Sequence, residues 1–244
     1  MSNPIHWHIG CSGFHYKEWK DAFYPPKLAA SKWFEYYCRH FNTLELNVTF
    51  YRFPQLKTLQ GWYNRSTEGF LFAVKAPRLV THYKKFQDTA GLLSDFYGTI
   101  GEGLREKLGF VLFQLPPQVA YSEAMLQRII ESINPLFTNT VEFRHESWWR
   151  PDVYQQLASN RISFCGHSHP RLPDTVIINT DAVYYRFHGV PDLYRSAYPE
   201  SKLEQLAEAV LGNKTVKSAH IYFNNTAGPA ALANARWLIN RVQQ

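Results

Sequence analysis

Short runs of β-branched, aromatic and aliphatic residues recur along the chain, each broken by polar, Gly or Pro residues and followed by a stretch with helical periodicity. They are WHIGCS (7–12), TLELN (43–47), LFAVKA (71–76), FVLFQL (110–115), TVEFR (140–144), ISFCGH (162–167), VYYRFH (183–188) and HIYFN (220–224). Measured from Ser12 through Glu45, Lys75, Gln114, Glu142, His167 and His188 to Asn224, the spacings run from 21 to 39 residues, which is the chain one barrel repeat uses. Helices are predicted over 31–41, 124–133, 151–160, 200–212 and 229–242, with the third helix of the series placed only loosely within 88–106. The strand–helix alternation implies a parallel sheet with right-handed crossovers. An open doubly wound sheet would show the same alternation. Eight units in 244 residues favour closure, so the expected fold is α/β, a (β/α)8 TIM barrel over 1–244 with no linker dividing it.

Alternate side chains on a strand face opposite sides of the sheet, so each run sorts into two columns. One column is apolar and suits the helix layer: Leu44 and Leu46, Phe72 and Val74, Val111 and Phe113, Val141 and Phe143, Tyr185 and Phe187, Ile221 and Phe223. The other must face the barrel axis, and it holds His8, Ser12, Glu45, Asn47, Lys75, Gln114, Glu142, Arg144, Arg186, His188, Tyr222 and Asn224. Strands buried on both faces normally read as continuous apolar runs, so this polar column has to be explained. Buried charges must pair, hydrogen-bond or meet a ligand. Most of these residues fall late in their strands, at the end where barrels build active sites. Two readings stand side by side: interior ion pairs, Glu45 with Lys75 and Glu142 with Arg144 or Arg186, or a tuned site in which many ionisable groups converge.

Composition narrows the class of protein. Hydrophobic residues make up 45% and charged residues 19%, enough to bury a substantial core. The start of the chain lacks a basic stretch followed by an apolar run, and no window suits a membrane span, so a cytoplasmic location is expected. Cys11, Cys38 and Cys165 are too widely spaced for a zinc site or a disulfide framework. Lys and Arg exceed Asp and Glu by 26 to 20, and Lys75, Arg78, Lys84 and Lys85 gather with His82, which suits an anionic ligand, although a solvated face suits Lys84 and Lys85 better.

The motifs IGCSGFHYKEW (9–19), FNTLELNVTFYR (41–52), FAVKAPR (72–78), LFQLPP (112–117), VEFRHESW (141–148), YYRFHG (184–189) and YFNN (222–225), taken together and in order, resemble the YecE-like family, a domain-of-unknown-function family of TIM barrels. The resemblance implies the barrel and no particular activity. Carried over position by position, its recurring polar residues fall on Glu45, Lys75, Gln114, Glu142, Arg144, His145, His188 and Asn224. His145 departs from the inward parity unless its strand ends before it, and His167-Ser168-His169 stands where many relatives would carry an Asp-Ser turn.

The candidate catalytic residues are therefore Glu45, Lys75, Glu142 and His188, with Ser12, Tyr16, Asn47, Gln114, Arg144, Asn224 and Asn225 as candidate ligand contacts. Glu45 and Glu142 can divide acid and base roles, Lys75 can hold negative charge or, if desolvated, act as base or nucleophile, and His188 can carry a proton near neutral pH. The 224–229 turn before the last helix offers backbone donors for a phosphate, or only a helix cap by Asn225 or Thr226. Tyr16, Trp19, Tyr51 and Trp148 could floor a pocket or simply pack. No metal and no cofactor are expected, there being neither a Walker pattern nor a dinucleotide fingerprint in context. The leading expectation is a metal-independent acid/base enzyme, a hydrolase or isomerase, for a small polar, anionic or phosphorylated ligand. The alternatives are a metal-dependent phosphoester hydrolase or nuclease, and a non-catalytic ligand- or RNA-binding barrel. The sequence leaves oligomeric state open.

Overall fold

The computed structural model describes residues 4–243. Its strands are β1 (His6–Ser12), β2 (Thr43–Leu46), β3 (Leu71–Lys75), β4 (Leu108–Gln114), β5 (Thr138–Glu142), β6 (Ile162–Ser168), β7 (Ala182–Phe187) and β8 (Ser218–Phe223). All pair in parallel in chain order, and β1 closes on β8 from His6↔Ser218 to Cys11↔Phe223, giving a TIM barrel. Each strand lies within two residues of the run that predicts it.

The two-column sort explains how the sheet packs. Every residue assigned outward belongs to the large core shared with the helices. A second, smaller cluster of Ala73, Phe110, Leu112, Cys165, Tyr184 and Tyr222 fills the barrel itself. At its lower end His8 and His220 stack at 4.6 Å between ring centroids, with Phe110 edge-on to His220 at 4.7 Å. Above them Tyr222 shares a 2.7 Å hydrogen bond with Thr43. The interior is thus a packed plug, and the polar groups sit on top of it.

The helices are α1 (Trp33–Cys38), α2 (Val48–Tyr51), α3 (Leu56–Arg65), α4 (Ala90–Leu104), α5 (Glu123–Ser132), α6 (Pro151–Ser159), α7 (Glu200–Leu211) and α8 (Ala230–Val242). Local chemistry sets several starts: Ser122 caps α5 by accepting from Met125 N, and α6 opens on Pro151. The third helix of the series is α4, buried along Leu93, Phe96, Tyr97, Ile100 and Leu104. Two helices follow β2 and none follows β6. In place of the missing helix, residues 169–181 run back over the sheet and are clasped by Asp174, which accepts from Ser168 Oγ at 2.7 Å and Tyr185 OH at 2.5 Å. No helix among the described residues is long and apolar enough to cross a membrane.

Candidate active site

The C-terminal ends of the strands carry one connected set of charged groups. Arg186, on β7 and 1% exposed, donates from Nη1 to Glu142 Oε2 at 2.5 Å and from Nη2 to Glu45 Oε1 at 2.6 Å. Glu45 also accepts from Ser12 Oγ at 2.6 Å and from Tyr184 OH at 2.7 Å. The other oxygen of Glu142 accepts from Arg144 Nε. All four carboxylate oxygens are therefore engaged. Burial alone would raise the Glu142 pKa, but Arg144 and Arg186 outweigh it and hold the carboxyl well below its usual range.

His188 extends the set. Its Nε2 lies 3.0 Å from Arg144 Nη2 and 3.3 Å from Glu142 Oε1, and its Nδ1 lies 3.0 Å from the Asn224 side-chain nitrogen. Burial first, and Arg144 next, keep its pKa well below 6.5, so the ring is neutral at pH 7. Arg144 has donors only, so Nε2 accepts from it and the ring proton sits on Nδ1. The Asn224 amide then turns its oxygen toward that proton.

Lys75 stands apart. At the end of β3 it is 8% exposed, donates to Gln114 Oε1 at 2.5 Å and lies 4.1 Å from the centre of the Phe50 ring. It has no ion pair among the described residues. Burial, then repulsion from Arg186, lowers its pKa to about 7.

The structure brings Glu45, Lys75, Gln114, Glu142, Arg144, His188 and Asn224 to one end of the barrel, but their environments redistribute the expected roles. Glu45 and Glu142 are fully buried and paired, so neither is free to act as acid or base. A buried, neutral His188 is ill suited to carry a proton near pH 7; Lys75 has the matching pKa. Arg144 and His145 lie beyond the end of β5, which frees Arg144 to turn inward, while His145 caps the short turn at Glu146–Trp148 by accepting from Ser147 N. Ser12 and Asn225 are fully buried and engaged with the framework: Ser12 holds Glu45, and Asn225 donates to Ser196 O at 2.9 Å and Asn234 Oδ1 at 3.2 Å, while its own Oδ1 has no hydrogen-bond partner among the described residues. Tyr16 is half-buried, its hydroxyl donating to Ser12 O at 2.5 Å. Asn47 directly follows β2 and has a buried Oδ1 without a hydrogen-bond partner among the described residues.

The turn before α8 offers less to an anion than its sequence promised. The amides of Asn224 and Ala227 already donate to Phe187 O and Tyr194 O, and neither Asn225 nor Thr226 caps the helix, whose N-cap is Pro229. Trp19 and Trp148 are buried and donate to Gly228 O and Val119 O, so both pack. Tyr51 and Tyr83 are exposed on the rim, with Arg78 between their rings at 5.7 and 5.5 Å. His82, lowered to about 4 by burial and then by Lys75, adds no charge at pH 7.

Missed in the sequence are Tyr184, which bonds Glu45, and His167, which lies in register with Arg186. The signal was present. Ile162 and Phe164 alternate with Ser163, Cys165 and His167 as in the sorted strands.

Residues 8–244 match the family model described as "Protein of unknown function DUF72". The chain is 27% identical over 259 residues to the UPF0759 protein YunF of Bacillus subtilis, covering 90% of this chain and 89% of that one. It is 25% identical over 167 residues to the UPF0759 protein YecE of Escherichia coli K12, covering 65% of this chain and 59% of the other. A crystal structure of a DUF72 family protein from Thermotoga maritima superposes with a TM-score of 0.87 at 28% identity, covering 98% of this chain and all of that one.

Proposed function

The chain belongs to the family described as "Protein of unknown function DUF72", and from that starting point we propose that it is a metal-independent acid/base enzyme, a hydrolase or isomerase, acting on a small polar anion at the barrel mouth. One observation carries this reading. Arg186 and Arg144 neutralise Glu45 and Glu142, so the pairing leaves Lys75 as the cation with only an amide and an aromatic face beside it. With a pKa of about 7 it populates both protonation states at neutral pH, as a proton-transferring group should. Charged, it attracts the anion. Neutral, it takes a proton from the bound ligand.

In this reading Glu45, Glu142 and His188 are positioning residues that fix Arg144 and Arg186, while Arg144, Gln114, Asn224, Asn47 and Tyr16 meet the ligand. The donor set argues against the metal-dependent hydrolase or nuclease: among the described residues no three His, Cys, Asp or Glu side chains are grouped to hold an ion, and two guanidiniums flank Glu142. A nucleic-acid-binding barrel has one feature in its favour, the exposed Tyr51 and Tyr83 with Arg78 between them.

The test is a thermal-shift screen of small anionic metabolites with and without a chelator, run on wild type and Lys75→Met. Anions should stabilise the wild type with or without the chelator, less so above pH 7, and this pH dependence should vanish in Lys75→Met. Hits that require a divalent ion would restore the metal-dependent reading. Single-stranded oligonucleotides binding where no small anion does, and lost in moderate salt, would favour the nucleic-acid reading.

A further inference from the structure

His167, the penultimate residue of β6, is fully buried, yet neither of its ring nitrogens has a hydrogen-bond partner among the described residues. It pairs in register with Arg186 and so shares the inward face. Its ring lies 5.3 Å from Trp149, 5.8 Å from His188 and 6.1 Å from His169, centroid to centroid. It therefore stands at the mouth end of the barrel, beside the Glu142–Arg144–His188 set.

A neutral imidazole offers one N–H donor and one lone pair. Leaving such a group buried and unmatched destabilises a fold, so a polar partner is expected where it stands. A fully deprotonated anion supplies only half of one, because it accepts from the N–H and has nothing to give the lone pair. β2 lies four strands round the ring from β6, and Asn47 at its mouth end has the buried, unpartnered Oδ1, an acceptor that also needs a donor. An amine could donate, but as a cation it would be opposed by Arg144 and by protonated Lys75. Hydroxyl groups meet both needs: they donate and accept and carry no charge.

We propose that the ligand of this mouth is a polyhydroxylated anion, with His167 and Asn47 taking its hydroxyls while Lys75 and Arg144 face its charged group. This rests on the anion-binding reading given above and goes further by naming the ligand class and His167 as a specificity residue.

Calorimetric titration of the full chain with inorganic phosphate, ribose 5-phosphate, 2-deoxyribose 5-phosphate and gluconate tests it. Wild type should bind ribose 5-phosphate about tenfold or more tighter than inorganic phosphate, the difference one or two satisfied hydrogen bonds make. The deoxy sugar should fall between them, and tight gluconate binding would identify a carboxylate rather than a phosphate as the charged group. His167→Phe should cut the preference for the sugar severalfold, Asn47 keeping the rest, with a smaller effect on phosphate than on the sugar, and His167→Gln should keep more of the preference than His167→Phe. Equal affinity of wild type for phosphate and ribose 5-phosphate would overturn the hydroxyl proposal and leave the anion site standing. Absence of binding by every anion would sink the anion reading and this proposal together. The wild-type comparison needs no variant to fold, and a purely structural His167 predicts that the ranking of probes is unchanged in His167→Phe.

Discussion

Arg186 and Glu142, two strands apart on the barrel wall, meet over its plugged interior at 2.5 Å, and the same guanidinium reaches Glu45 at 2.6 Å on the far side. One cation thus serves two buried carboxylates, and the second arginine, Arg144, restores the balance. Lys75, Arg144 and Arg186 against two glutamates leave one positive charge over, and the pairing puts it on Lys75.

Removing Arg186 should be severe. Arg186→Met strands Glu45 and leaves Glu142 to Arg144 alone, and is expected to destabilise the fold by about 3–5 kcal/mol, as is Glu142→Gln, which takes from Arg144 its carboxylate and leaves Arg186 with Glu45 alone. Urea denaturation measures both. A loss below about 1 kcal/mol, the range of exposed pairs, would show that water reaches these groups.

Lys75 should act in the opposite direction. Its pKa of about 7 when folded, against 10.5 when unfolded, means the unfolded chain holds more protons between those values. Stability therefore rises with pH across that window, and below pH 7 the buried ammonium is a full penalty of about 3–5 kcal/mol. Lys75→Met should raise the unfolding midpoint at pH 7 and flatten the pH dependence up to 10.5. A less stable variant would mean the Gln114 and Phe50 contacts outweigh desolvation.

The stacked pair at the lower end of the barrel sets an acid limit. Burial lowers the pKa of His8, and of His220 more strongly, each being further lowered by a neighbouring histidine. The unfolded chain therefore gains protons below pH 6.5 that the fold refuses, so stability is complete above 6.5 and declines as pH falls. A His8→Phe, His220→Phe double variant should show a shallower fall in Tm between pH 6.5 and 5 than wild type. Parallel curves would place the acid sensitivity elsewhere, in His167 and His188.

Gly103 of α4 packs tightly on α3, where an added Cβ would lie 2.5 Å from Leu59 Cβ. Gly103→Ala should destabilise by about 1–3 kcal/mol despite the better helix propensity of alanine. Recovery in a Gly103→Ala, Leu59→Ala double variant would assign the loss to that contact.

Strict alternation made the barrel legible, because Leu44, Phe72, Val111 and their counterparts had to face helices and left Glu45, Lys75 and Glu142 only the axis. α4 was hard to place because Gly91, Gly98, Gly101 and Gly103 depress its propensity, and only packing against α3 and the sheet restores it. Site roles were less accessible. Parity brings Glu45 and His188 to the mouth but does not say that Tyr184 and Ser12 engage the first or that burial discharges the second. Likewise Asn225 follows Asn224 in sequence, yet a turn between them sends one side chain to His188 and the other to α8.

The interior bonds have a bearing on how the chain could be divided. Glu45 needs Arg186 and Tyr184, Thr43 shares its hydroxyl with Tyr222, and His8 lies on His220, so in each case β1 or β2 meets β7 or β8. A half-barrel ending after β4 would keep Glu45 and lose both of its partners from β7. The other half would hold Arg186 with a single carboxylate. Separate genes for β1–β4 and β5–β8 should therefore yield folded protein only when co-expressed, each fragment supplying the counter-charge that the other cannot fold without.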